Sequence, residues 1–310
     1  MYQEFFGLRE LPFDLSPDPR YLHLTRRHRE ALANLEYGIT ARKTLTVLVG
    51  EAGTGKTTIV RAALQSDACR AVRTLYLANP VLTRNEFLDV LAAGFSLGLE
   101  AADSKSVLLQ RLEEELLERR RLRVITALVI DEAQSMPVDL LEEVRLLANI
   151  ETSSEKLLPL VLIGQPELAD RLNEPALRQL KQRVALRCML GRLSREETAA
   201  YITGRLNVAG NMGRKLFTDD AIDLVHEYSA GIPRTVSVIC DNALVSAFAM
   251  QQKRVGAQIV RDVSEDFDLV RASHGFADPV ELEPEAPLAE ENEPQPRLAV
   301  AGRRRRFSFF

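Results

Sequence analysis

Residues 46–60 read TVLVGEAGTGKTTIV: an apolar run of strand length, a turn of small residues, and the opening of a helix. Within it Gly50, Gly55, Lys56 and Thr57 satisfy the phosphate-loop spacing G-x-x-x-x-G-K-[ST]. The spacing follows from what phosphate demands. Backbone N–H groups from Gly50 through Glu51, Ala52, Gly53, Thr54, Gly55, Lys56, Thr57 and Thr58 can surround a row of phosphates, and the glycines let the backbone come close. Lys56 is placed to reach the β- and γ-phosphates, and the Thr57 hydroxyl to ligate Mg²⁺. The stretch predicts a triphosphate site with its metal. Alone it does not choose among GTPases, helicases, kinases, transporters and switches.

Outward from this stretch, apolar runs alternate with amphipathic ones. TLTVLVG, AVRTLYLA, ITALVIDEAQ, LLPLVLIGQ and RVALRCML have the length and composition of buried strands. TRRHREALANLEYGITARK, NEFLDVLAAGFSL, SVLLQRLEEELLERRR and VDLLEEVRLLANI carry helical periodicity. Alternation of this kind predicts a mainly parallel five-stranded sheet with helices on both faces. After residue 193 only helical patterns remain, beginning at a capping box, Ser194 with Glu197. The expected organisation is an opening segment and helix (1–43), an α/β core (44–193), a small helical domain (194–270) and a tail (271–310). The opening residues MYQEFFGLRELPF, rich in aromatics and without a clean period, read as an ordered loop. The tail interleaves Glu and Pro and reads as a disordered linker ending in GRRRRFSFF. Four adjacent arginines beside three phenylalanines predict a peripheral contact with an anionic membrane.

Composition narrows the partners. The 310 residues carry a formal net charge of -4, with a pI near 5.8, which weighs against a protein that coats DNA. Cys69, Cys188 and Cys240 are scattered, with no zinc spacing, so buried thiols in a reducing cytoplasm are expected. No run approaches the ~18 apolar residues of a membrane span.

The second half of the site is LVIDEAQ, where an apolar strand ends in Asp131 and Glu132. Ligands of such sheets lie beyond the carboxyl ends of the strands. Asp131 is placed to hold Mg²⁺ through water, and Glu132 to orient and deprotonate an attacking water. A carboxylate base points to hydrolysis, and the chain has no N-K-x-D sequence to read guanine. DEAQ also occurs in helicases, but the short helices after residue 193 leave no room for the second nucleotide-binding-type domain they require. A third strand, LVLIGQPEL, ends in Gln165, a polar side chain between the acid and the γ-phosphate that can sense whether the phosphate is present.

With GIPRTV opening a later helix and, in LRQLKQRVALRCML, Arg183 directly before the last strand, this order of parts resembles the AAA+ ATPases. FFGLRELPFDLSPDPRYLHLTRRHREAL, GEAGTGKTT, ALVIDEAQ, GQPEL and QRVALRCML together resemble the ExeA/GspA type of secretion ATPase. The resemblance covers roughly residues 1–270. It implies a P-loop AAA+ core with a helical lid, ATP as the nucleotide, and a homo-oligomeric ring or arc. It implies Arg183 as a finger reaching a neighbouring subunit's γ-phosphate, with Arg178 as its rival, Arg234 as a second sensor, and Tyr21 near the adenine. It also implies a cytoplasmic assembly or motor ATPase, peripheral to the inner membrane, serving a secretion, pilus or polysaccharide-export system. The alternative is a nucleotide-controlled, DNA-binding regulator of transposition.

Overall fold

The computed structural model describes residues 1–271 apart from Pro17 and Leu22. In it the apolar run of the phosphate-loop stretch is strand β1, Leu45–Gly50, buried at every position. Beside it lie β2 (Arg73–Leu77), β3 (Thr126–Ile130), β4 (Leu160–Gly164) and β5 (Val184–Leu190), all parallel, in the order β2-β3-β4-β1-β5. A parallel strand with helices on both faces has no solvent side, which is why β1, β3 and β4 are buried throughout and, Thr46 and Thr126 apart, apolar rather than alternating.

Successive side chains of β1 feed two cores. Leu45, Val47 and Val49 join Phe87, Leu91, Phe95, Leu108 and Leu112, while Leu48 joins Leu35, Ile39 and Ile59. The first layer is built by α4 (Arg84–Phe95), α5 (Lys105–Arg121), α6 (Val138–Leu147), α7 (Pro166–Leu172) and α8 (Arg178–Lys181). The second is built by α2 (Arg26–Thr40) and α3 (Lys56–Gln65). The expected five-stranded parallel sheet, covered on both faces, is the one found.

Beyond β5 come α9 (Arg195–Val208), α10 (Asp219–Ser229), α11 (Pro233–Ala249) and α12 (Ala257–Asp266). The capping box at the start of α9 forms: Ser194 Oγ accepts from Glu197 N and Glu197 Oε2 accepts from Ser194 N. The opening segment departs from the expected loop. Tyr2–Phe6 form a short helix, α1, ended by Gly7 in the left-handed conformation. Tyr2 and Phe6 lie one turn apart and both sink into the core of the last four helices, where Tyr2 hydroxyl bonds Asp241 and Phe5 meets Phe248 edge-on at 5.4 Å. Phe13 joins the same core against Phe217. One helical turn is too short to show a period, so its sequence gave no sign of it.

Cys69, Cys188 and Cys240 are free and buried. Among the described residues no helix is long and apolar enough to cross a membrane. The acidic, Pro-rich segment and the GRRRRFSFF tail, with the membrane contact expected of it, lie outside the described residues.

Candidate nucleotide site

The turn after β1 needs glycine at Gly55, where the phosphate pattern has it, and at Gly53, where the pattern leaves the residue open. Gly53 and Gly55 have φ of 81° and 95°, in the left-handed region. A Cβ at Gly53 would stand 2.8 Å from Cβ of Arg234, and Arg234 N donates to the Gly53 carbonyl at 3.2 Å. The start of α11 therefore rests on the loop. Helix α3 begins at Lys56, so the free N–H groups of its first turn and its dipole face the cleft, a setting suited to an anion. Lys56 is buried, and its Nζ donates to the carbonyls of Gly50 (2.8 Å) and Glu51 (3.0 Å). Burial pushes its pKa below the ordinary 10.5, opposed by the carboxylates of Glu132 and Asp131.

Two contacts brace the loop from outside. The Glu51 carboxylate takes a fork from Arg192, with Nε at 3.0 Å and Nη2 at 2.9 Å, so Glu51 offers phosphate only its backbone. His28, the third residue of α2, has Nε2 3.3 Å from the Thr54 carbonyl and Nδ1 2.7 Å from Thr25 Oγ1. A carbonyl only accepts, so Nε2 carries the proton and Nδ1 accepts from the threonine. Burial lowers the pKa of His28 from 6.5, and also that of His23 and His226. A depressed folded pKa means stability that is whole above the unfolded value and declines as pH falls toward and through the folded one. The thermal midpoint is expected to drop below pH 6.5, and less steeply in His28→Gln; parallel midpoint profiles from pH 7.5 to 5 for the two proteins would refute this part of His28.

The carboxyl ends of β3 and β4 complete the site. Asp131 is buried and its Oδ2 accepts from Thr57 Oγ1 (3.0 Å) and Tyr76 hydroxyl (2.6 Å), while Oδ1 accepts from Glu132 N (2.9 Å). Burial, and then the Asp131 carboxylate, pushes the Tyr76 phenol well above its ordinary range, so it stays a donor. The Thr57 hydroxyl and Asp131 carboxylate are hard oxygen donors of the kind Mg²⁺ takes, and phosphates and waters would fill the other positions. Among the described residues no group of three or more His, Cys, Asp or Glu could hold a metal by itself.

Glu132 has φ 53° and ψ 35°, the left-handed conformation in a non-glycine residue. Such a backbone costs of order 1–3 kcal/mol and persists where its surroundings impose it. Here Gln134 Nε2 donates to Glu132 Oε2, and Gln165 Nε2 reaches the same oxygen at 3.4 Å. Gln134 Oε1 in turn accepts from Gln165 N at 3.0 Å, and Arg171 holds the Gln134 carbonyl. Gln165 thus meets Glu132 through one direct contact and one relay. Lys56, Thr57, Asp131, Glu132 and Gln165 converge at one end of the sheet.

Arg234 is exposed and lines the same cleft, forming no ion pair with a described residue. Arg183 is elsewhere. It precedes β5, whose Val184 lies opposite Leu45, the first residue of β1, whereas the phosphate loop follows Gly50 at the last. A strand of that length, at about 3.3 Å per residue, separates the two by about 17 Å. Arg183 cannot serve its own chain's phosphates. Arg178 is exposed at the start of α8.

The cleft holds about 390 Å³ and runs from Ala52–Thr58 and Glu132 to a far end walled by Asp14, Asp18, Tyr21, Tyr201 and Arg205. Tyr76, Gln134, Arg192, His28 and Arg205 are site residues that the sequence reading missed. Gln134 alone had a local signal, as the last letter of DEAQ.

The profile of the AAA domain family matches residues 39–172. Over 255 residues the chain is 41% identical to General secretion pathway protein A of Aeromonas hydrophila. The chain's fold is that of the AAA+ family. The match covers 82% of this AAA+ chain but 46% of that relative, so the chain spans about half the relative's length. Among solved structures it is similar to ORC2 of Aeropyrum pernix in ADPNP–ADP complexes, with a TM-score of 0.62 and 17% identity over 82% of this chain and 71% of that one. It is also similar to Drosophila ORC bound to DNA, with a TM-score of 0.60 and 23% identity over 87% and 66% of the two chains. At these identities the likeness is one of fold.

Proposed function

We propose that this AAA+ chain binds ATP with Mg²⁺ and hydrolyses it as an assembly or motor ATPase of a bacterial secretion, pilus or polysaccharide-export system. The observation that carries the reading is the meeting of Lys56, the Thr57–Asp131 pair and the Gln-held Glu132 at the carboxyl ends of β1, β3 and β4. Thr57 and Asp131 would hold Mg²⁺, which when bound offsets the phosphate charge. Lys56, released from the two carbonyls, places its ammonium between the β- and γ-phosphates. Glu132 holds a water for attack on the γ-phosphorus and takes its proton as the bond to the β-phosphate oxygen breaks, leaving ADP and phosphate. Gln134 and Gln165 fix that carboxylate, so it need not reorganise as the reaction proceeds. Arg234 brings a lid cation to the same cleft, and Arg183 completes the site of an adjoining copy in a ring or arc.

The role in secretion rests on the similarity to General secretion pathway protein A, and a place beside the inner membrane rests on the four arginines and three phenylalanines that close the sequence. The net charge of -4 disfavours the DNA-bound alternative. Calorimetry of ATP with Mg²⁺ tests the reading of the site. Wild type should bind ATP, and Lys56→Ala should bind it at least about 100-fold more weakly, since charge-assisted contacts to phosphate are lost. Equal affinity in the two proteins would reject the cradle.

A further inference from the structure

An acidic residue stands inside the loop that must take a polyanion. Glu51 lies between Gly50 and Ala52, within the run 50–58 whose N–H groups are to surround the phosphates. Backbone contacts already fix the shape of that loop. Gly53 and Gly55 set its turn, Thr54 donates from N (3.3 Å) and Oγ1 (2.8 Å) to the Glu51 carbonyl, and Arg234 N holds the Gly53 carbonyl. The Glu51 side chain is 40% exposed, and the Arg192 side chain forked onto it is 30% exposed. A pair this open to water adds little to the stability of a fold. What the pair contributes lies in the charge it presents to the site.

A bare carboxylate here would repel the phosphates that the loop is built to hold, and unit charges a few ångströms apart interact appreciably even in water. The fork from Arg192 reaches in from the connection between β5 and α9, with Nε at 3.0 Å and Nη2 at 2.9 Å, and cancels that charge in a fixed geometry. We propose that Arg192 is a positioning residue that acts through Glu51 to set the affinity of the loop for phosphate. With the fork made, the pair is neutral and the loop accepts a triphosphate; without it, Glu51 opposes the same phosphates. The inference rests on the nucleotide reading of the cleft. It adds a residue outside the phosphate-loop pattern that governs how strongly the phosphates are held. The effect is on binding, and it grows with the charge of the nucleotide.

Calorimetry of the full chain with two probes, ATP and ADP, tests it. Arg192→Met leaves Glu51 bare and should weaken ATP by about 10-fold, and ADP by less because it carries less charge. Glu51→Gln leaves the Arg192 cation beside the phosphates and should act in the opposite direction, tightening ATP by about 2- to 10-fold. The double variant is neutral again and should regain most of what Arg192→Met loses. The gap between Arg192→Met and wild type should also narrow from about 0.1 M to about 1 M salt, as the Debye length falls from about 10 Å to about 3 Å. Weaker ATP binding in all three variants would leave the pair as a brace only and overturn the inference. Arg192→Met that binds ATP like wild type overturns it too. If Arg192→Met does not fold, Glu51→Gln decides: tightening supports the charge role, and a loss or no change rejects it. A wild type that binds neither nucleotide would instead reject the nucleotide reading itself.

Discussion

Glu132→Gln is expected to bind ATP as well as wild type and to turn it over about 10²–10⁴-fold more slowly, the usual contribution of a positioned general base. The amide keeps the size and shape of the side chain but cannot accept the proton of the attacking water. It also keeps an oxygen for Gln134 Nε2, so the left-handed turn at residue 132 has no reason to relax. The two neighbouring variants separate position from chemistry. Gln134→Ala and Gln165→Ala leave the carboxylate and remove what aims it, so each should slow turnover less than Glu132→Gln does. A Glu132→Gln protein that hydrolyses ATP at the wild-type rate would remove Glu132 from the reaction.

Arg183→Ala should bind ATP normally and lose turnover by about 10³-fold or more, the scale on which an arginine finger acts. The sheet register makes this a statement about assemblies. Arg183 stands at the amino edge and the phosphate loop at the carboxyl edge, so the guanidinium can meet a γ-phosphate only in another copy. Activity per subunit should therefore rise with protein concentration. An equal mixture of Arg183→Ala and Lys56→Ala should regain activity, because one variant keeps the cradle and the other the finger. In a head-to-tail ring with random neighbours, about a quarter of the sites would combine both. A dilute monomer as fast as concentrated protein, or a mixture as dead as its components, would contradict the arrangement in trans. Restored activity with Arg178→Ala rather than Arg183→Ala would move the finger to the first residue of α8.

What could be read from the sequence was what local chemistry constrains. Gly53, Gly55 and Lys56 lie within one turn whose backbone leaves little freedom of residue type, and the apolar β1, β3 and β4 follow from burial on two faces. Asp131, Glu132 and Gln165 were placed by where strands end. The missed residues act through partners that sequence spacing cannot show. Tyr76 meets Asp131 across 55 residues, Arg192 meets Glu51 across 141, and Arg205 meets Asp14 across 191. Each becomes visible only once the parallel order β2-β3-β4-β1-β5 sets β2 beside β3 and β5 beside β1, or once the opening segment folds onto the last helices. Arg183 was named by resemblance, and the register supplied the physical reason that it cannot work on its own chain's nucleotide.

Phosphate release from ATP by the purified chain is the most direct measurement. It is made with Mg²⁺ and again with excess chelator, at a protein concentration high enough for copies to associate. Steady release that needs Mg²⁺ and disappears in both Lys56→Ala and Glu132→Gln is the predicted result. Release that persists in Glu132→Gln, or no release from a wild type shown to bind ATP and to associate, would contradict the hydrolytic site built on Lys56, Asp131 and Glu132.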